Sequence, residues 1–77
     1  MVNEAYKRLR EELVNARKAA GLTQVDLASL LERPQSFVSK YERGERRLDL
    51  IEFGEVAAAL GINPAKFLSK FYKDQEN

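Results

Sequence analysis

Between Pro34 and Gly44 the chain reads QSFVSKYER, and two kinds of side chain alternate there at helical spacing. Phe37, Val38 and Tyr41 are apolar, while Gln35, Ser36, Ser39 and Lys40 are hydrogen-bonding groups that a helix would turn the other way, with Arg43 near the end. The amide of a glutamine can pair bidentately with N6 and N7 of adenine. A serine hydroxyl donates or accepts at a base edge or a phosphate, and a lysine reaches guanine or a phosphate. Upstream, Thr23 and Gln24 open another helical run, whose free backbone amides and positive dipole end suit a phosphate. On composition alone any solvated helix can carry such residues, so the order of the whole segment from Gly21 to Gly44 has to carry the argument.

Charge supports a polyanionic partner by its distribution rather than its sum. The formal net charge is only +1. Arg33, Lys40, Arg43, Arg46 and Arg47 nevertheless lie close together in the chain against Glu42 and Glu45 alone, and the following segment holds Asp49, Glu52 and Glu55 without a cation. Positive charge is therefore expected on the motif and its trailing loop. The blander reading, charges covering a small surface, stays open at this point.

The elements that must position these groups can be read from periodicity and caps. Helix one is expected from about Asn3 to Ala20, with Leu9, Leu13, Ala16 and Ala20 as its buried stripe and Tyr6 extending it. Gly21 follows where a C-terminal cap needs a positive φ. Thr23 caps helix two, and Asp26 reaches back to complete a capping box. Leu27, Ala28, Leu30 and Leu31 form the apolar face of helix two. Pro34 stops any helix in front of it and holds Arg33 extended. Helix three runs from about Gln35 to Arg43, ended by Gly44, and Glu45 to Leu48 form a basic loop. Asp49 and Glu52 form a second capping box ahead of helix four, whose buried surface is Ile51, Phe53, Val56, Ala57 and Leu60. Gly54 inside helix four costs about 1 kcal/mol against Ala; a close helix crossing or plain tolerance would account for it. Asn63 and Pro64 cap and open helix five. It carries Phe67, Leu68, Phe71 and Tyr72, and the polar tail over 73–77 is expected to fray.

These elements add up to an all-α domain of five helices spanning residues 1–77, with a helix-turn-helix unit over about 23–43. Ala28 is small where helix two must approach its partner, and Val38 plugs the crossing from helix three. The chain has no Cys and no His, which removes disulfides, thiolate metal sites and the commonest general base. No phosphate-binding loop is present, so neither an enzyme nor a metal or other cofactor is expected. No apolar run approaches a membrane span and no signal-peptide pattern opens the chain, which leaves a soluble cytoplasmic protein as the expectation.

In the residues Gly21-Leu22-Thr23-Gln24, Leu27-Ala28, Gln35-Ser36, Val38-Ser39-Lys40, Tyr41-Glu42-Arg43-Gly44 and Val56-Ala57 with Ala59-Leu60-Gly61, the sequence resembles the lambda-repressor and Cro-type, or xenobiotic-response-element (XRE), helix-turn-helix family of bacterial and phage regulators. The likeness covers roughly Leu13 to Leu68. It implies a compact lambda-repressor-like domain that binds double-stranded operator DNA, usually as a symmetric dimer. It also implies that Gln24 contacts a phosphate and braces Gln35, and that Ser36, Ser39 and Lys40 meet bases or backbone. Arg17 and Glu42 match a family pair that clamps helix one to helix three. Two positions depart from the family. Glu32 stands where glycine usually follows helix two, and a positive φ there costs on the order of 1 kcal/mol or more, so a different backbone path is expected. Pro34 replaces a hydroxyl cap, leaving Arg33 to supply the phosphate contact.

The resulting expectation is a transcriptional regulator, a repressor on a palindromic operator, with Thr23, Gln24, Arg33, Gln35, Ser36, Ser39, Lys40, Arg43, Arg46 and Arg47 at the DNA. Helix five carries more aromatic surface than a terminal helix of so small a domain needs. Phe67 and Leu68 are expected to close the core, and Phe67, Phe71 and Tyr72 are the candidate homodimer interface, with Phe71 and Tyr72 protruding. The competing reading is a protein-binding module, such as an antitoxin or a restriction-modification or phage accessory regulator, gripping a partner protein through helix five and the N-terminal extension.

Overall fold

A computed structural model describes residues 4–75 of the chain. Five helices follow one another: α1 (Glu4–Ala19), α2 (Gln24–Leu31), α3 (Gln35–Glu42), α4 (Leu50–Ala59) and α5 (Pro64–Gln75). No strand occurs among the described residues. The expected start of the first helix at Asn3 lies outside them. Residues 73–75, expected to fray, continue α5, and residues 76 and 77 lie outside the described range.

Local chemistry sets the helix starts. The Thr23 hydroxyl accepts from the Asp26 amide at 3.0 Å while the Asp26 carboxylate accepts from the Thr23 amide at 2.9 Å, a complete capping box. Asp49 and Glu52 repeat the arrangement at α4. At α5 the Asn63 side-chain oxygen accepts from the Lys66 amide at 3.1 Å, and Pro64 fills the first helical position.

The helix ends share one motif. After α2 the amide of Glu32 donates to Ser29 O and that of Arg33 to Ala28 O, the paired bonds of a Schellman turn. The same pairs close α1 at Gly21, α3 at Gly44 and α4 at Gly61, each glycine at positive φ. At the end of α2 the left-handed position is held by Glu32, with φ 57° and ψ 44°. The expectation of another backbone path is thus corrected. The two capping bonds outweigh the steric cost of a Cβ, and the glutamate takes the glycine conformation.

The core joins all five helices. Leu13, Leu27, Ala28, Val38, Tyr41 and Val56 are buried at its centre, with Phe37, Phe53, Phe67 and Phe71 around them. α2 packs on α3 and α4, α1 on α3, and α4 on α5. Ala28 and Val38 are both buried within this packing of α2 on α3. Burying each of the larger leucine, valine and phenylalanine side chains contributes about 1.5–3 kcal/mol.

Several side chains differ from expectation. Phe71 is buried, not protruding: it stacks within 5.5 Å of Phe67, and Arg8 of α1 covers its ring at 5.3 Å. Phe67 is buried against Phe53, as expected of a residue that closes the core, and so offers no surface to a partner. Only Tyr72 of the proposed interface trio stands exposed. Ile51 and Leu30, assigned to buried faces, are exposed, and so is Ala20. A Cβ added at Gly54 would meet no atom within 4 Å, so no close crossing requires that glycine.

Candidate nucleic-acid interface

The outward side of α3 is assembled by burying the other side. Phe37, Val38 and Tyr41 turn into the core, and this leaves Gln35, Ser36 and Lys40 exposed and Ser39 half-buried. Ser39 Oγ donates to Ser36 O at 3.4 Å. Pro34 at the N-cap makes no side-chain capping bond. Thr23 is exposed at the start of α2, its oxygen committed to the cap.

Behind this surface lies a clamp. Arg17 Nε donates to Glu42 Oε2 at 2.7 Å and Nη2 to Oε1 at 3.1 Å, a bidentate pair whose side chains are 9% and 6% exposed. Arg17 Nη1 also donates to Leu22 O at 2.8 Å, tying the α1–α2 turn to the same point. The bonded carboxylate holds the Arg17 guanidinium above its ordinary pKa. Arg10, a residue the sequence reading did not single out, donates from Nη1 to Glu42 O at 3.1 Å. Its guanidinium lies against Gly44, where a Cβ would stand 3.0 Å from Arg10 Cζ. The sequence signal available was an arginine one helical face and two turns before Arg17.

The amides of α2 and α3 connect to this clamp. Gln24 Nε2 donates to Glu42 Oε1 at 2.8 Å, and Gln35 Nε2 donates to Gln24 Oε1 at 3.4 Å. The bracing of Gln35 by Gln24 that the resemblance implied is thus present in the geometry.

The cations are less free than their run in the sequence suggested. Arg33 and Arg46 lie over the Phe37 ring, 4.5 Å and 4.8 Å from its centroid. Arg46 makes a bidentate pair with Glu52 at 2.9 and 2.7 Å, and Arg33 lies 3.5 Å from Glu52 and 3.4 Å from Glu55. The carboxylates of α4, read as a separate acidic segment, therefore fold back onto the basic one. Arg46 first, then the Asp49 amide, lowers the Glu52 carboxyl from 4.5 to about 2. Arg43 pairs with Glu45 at 3.0 Å, which lowers the carboxyl of Glu45; both are exposed, so the pair adds little stability. Arg47 stacks on Tyr6 at 4.4 Å, and the Tyr6 hydroxyl accepts from the Leu48 amide at 3.1 Å, fixing the loop against α1. Among the described residues no helix is long and apolar enough to cross a membrane.

A short helix pair joined by a Schellman turn, with an amide- and hydroxyl-bearing second helix clamped from behind, defines a DNA-binding helix-turn-helix domain. The chain belongs to the XRE-type helix-turn-helix family of DNA-binding transcriptional regulators: the family's helix-turn-helix model matches residues 13–67. It is similar to an XRE-family like protein from Pseudomonas syringae pv. tomato str. DC3000, with 49% identity and a TM-score of 0.93 over 96% of this chain and 90% of that one. It also resembles the restriction-modification controller protein C.AhdI from Aeromonas hydrophila, with 34% identity and a TM-score of 0.73 over 83% of this chain and 96% of that one. A mutant of the restriction-modification controller protein C.Esp1396I, 23% identical with a TM-score of 0.81 over 96% of this chain and 94% of that one, shares the fold. No curated protein matches the sequence.

Proposed function

We propose that this protein is a cytoplasmic repressor that binds a palindromic operator as a homodimer, inserting α3 into the major groove and acting by occlusion. The observation that carries this reading is the exposure of Gln35, Ser36 and Lys40 on one side of α3, opposite the buried Phe37, Val38 and Tyr41. Gln35 and Lys40 read bases, while Ser36, Ser39, Thr23 and Gln24 engage phosphates or base edges. Arg33, Arg43, Arg46 and Arg47 flank the groove. The pairing of Arg33, Arg43 and Arg46 with Glu52, Glu55 and Glu45, and the stacking of Arg47 on Tyr6, support a role as aligned backbone contacts rather than a free basic patch.

Support for the dimer comes from Leu50, Ile51 and Tyr72, which are 79%, 73% and 66% exposed. Leu50 and Tyr72 flank one open hollow of about 400 Å³ that also meets Tyr6, Leu9 and Leu68. The proposed self-association face therefore shifts from Phe67 and Phe71 to the start of α4 and Tyr72. A dimer would set two α3 helices roughly 34 Å apart, one turn of DNA.

The similarity to C.AhdI favours a narrower version, in which the regulated genes belong to a restriction-modification system. Sites recovered from a random DNA pool test both. The expected consensus is an inverted repeat, and in the narrower version it lies ahead of restriction and modification genes. Gln35→Ala is expected to cost about 1–3 kcal/mol and to relax preference at one base pair per half-site. Arg47→Ala is expected to weaken all sequences alike and to flatten the salt dependence. Unchanged affinity and preference in Gln35→Ala would remove the base-reading role.

A further inference from the structure

We propose that Glu42, whose side chain is almost wholly buried, is a positioning residue for base readout: through Gln24 it fixes which end of the Gln35 amide points at the base pair. The inference rests on the reading above, in which Gln35 meets bases. It goes beyond a clamp, because it assigns to the buried carboxylate a direction as well as a hold.

The argument follows donors and acceptors along one chain. A carboxylate paired with an arginine accepts hydrogen bonds and donates none. Glu42 takes two from Arg17 and a third, on Oε1, from Gln24 Nε2 at 2.8 Å. The NH2 end of Gln24 must therefore face Glu42, since its carbonyl end would set oxygen against oxygen. Gln24 Oε1 is left facing Gln35, and an oxygen there can only accept. Gln35 must in turn present its NH2 end to Gln24, at 3.4 Å. One N–H and the carbonyl oxygen of Gln35 then remain for a base pair, in a fixed order along the groove.

That order matters because a primary amide on a flexible stem can rotate about its last torsion and offer donor and acceptor either way round. A glutamine free to do so accommodates several base-pair edges. One held in a single order matches the N7 acceptor and N6 donor of adenine in one orientation of the pair. Holding costs little here, because Arg17 and Glu42 are already buried and bonded for structural reasons. The relay thus couples the α1–α3 clamp to sequence preference without any new contact to DNA.

Two substitutions separate direction from stability. Gln24→Lys keeps a donor for Glu42 and leaves the Arg17 pair intact, but offers Gln35 no acceptor. Glu42→Gln keeps the shape, yet its amide can meet Gln24 with either end. Relative affinities for all four bases at each operator position are measured for the wild type, for Gln35→Ala and for both variants, with a thermal melt of each. Gln35→Ala marks the pair that Gln35 reads. Both variants are expected to flatten preference at that same pair by at least about twofold, as the amide populates both of its faces, and to leave the other positions sharp. A folded Gln24→Lys that keeps full preference at the marked pair overturns the relay even if Glu42→Gln fails to fold. If Gln35→Ala flattens no position, the base-reading role falls and the relay with it; if it flattens one and the folded variants do not, only the relay falls.

Discussion

At the scale of single residues, glycine is missing where the backbone asks for it and present where it does not. Glu32 holds φ 57° in a turn whose three counterparts in this fold are glycines. Its side chain is exposed. Glu32→Gly is therefore expected to stabilise the domain by about 1 kcal/mol, raising Tm by roughly 4–8 °C in a chain of this size. Gly54 presents the reverse case. It sits inside α4 without positive φ, and a Cβ there meets nothing within 4 Å. Gly54→Ala is expected to add about 1 kcal/mol from helix propensity alone. Thermal melts of both variants check this, and a loss of stability in either would show an interaction absent from the geometry described. The departure at Glu32 was legible in the sequence, but its outcome was not. The cost of one strained residue is local, whereas the two capping bonds that offset it depend on where α3 must begin.

At the scale of elements, what could be read in advance was what lies within one turn of the chain. Both capping boxes join residues three apart, and both formed. The burial of Phe71 also had a local signal, since it stands four residues after the core residue Phe67 and shares its face. The pairing of Glu52 with Arg33 and Arg46 did not, because it needs the start of α4 brought against the α2–α3 turn, which happens only when α4 packs on α2. That pairing makes a pH prediction. The Glu52 carboxyl is held at about 2 in the folded chain against an ordinary 4.5. As pH falls through this interval the unfolded chain takes up the proton first, so the stabilisation is present above about 4.5 and lost on approaching 2. Urea midpoints measured down this range should fall, and Glu52→Gln should remove part of the slope; Asp26 and Glu45, also lowered, keep the remainder. The Arg17–Glu42 clamp predicts a different pattern. Arg17→Met strands a buried carboxylate and is expected to cost about 3–5 kcal/mol, whereas Arg17→Met with Glu42→Leu recovers most of it. Equal losses in the single and double variants, read by thermal or urea unfolding, would assign the cost to packing instead of charge.

At the scale of the whole molecule, the proposed dimer turns on two large aliphatic side chains that the subunit leaves exposed. Leu50 and Ile51 open α4 with most of their surface in water, and Leu50 shares one hollow with the exposed Tyr72. Large apolar residues so placed mark an interface more often than scattered single ones do. Because they touch little within the subunit, changing them tests association without dismantling the core. Leu50→Glu together with Ile51→Glu is expected to leave helix content and the monomer fold intact and to abolish the dimer in sedimentation experiments. On an operator with two half-sites the loss should be large, since linked binding exceeds a single contact by roughly 10²–10⁴. On a half-site alone the variant and the wild type should bind alike, because α3 is unchanged. A wild type that sediments as a monomer on the full operator, or a variant that still binds it as tightly, would place self-association elsewhere or remove it.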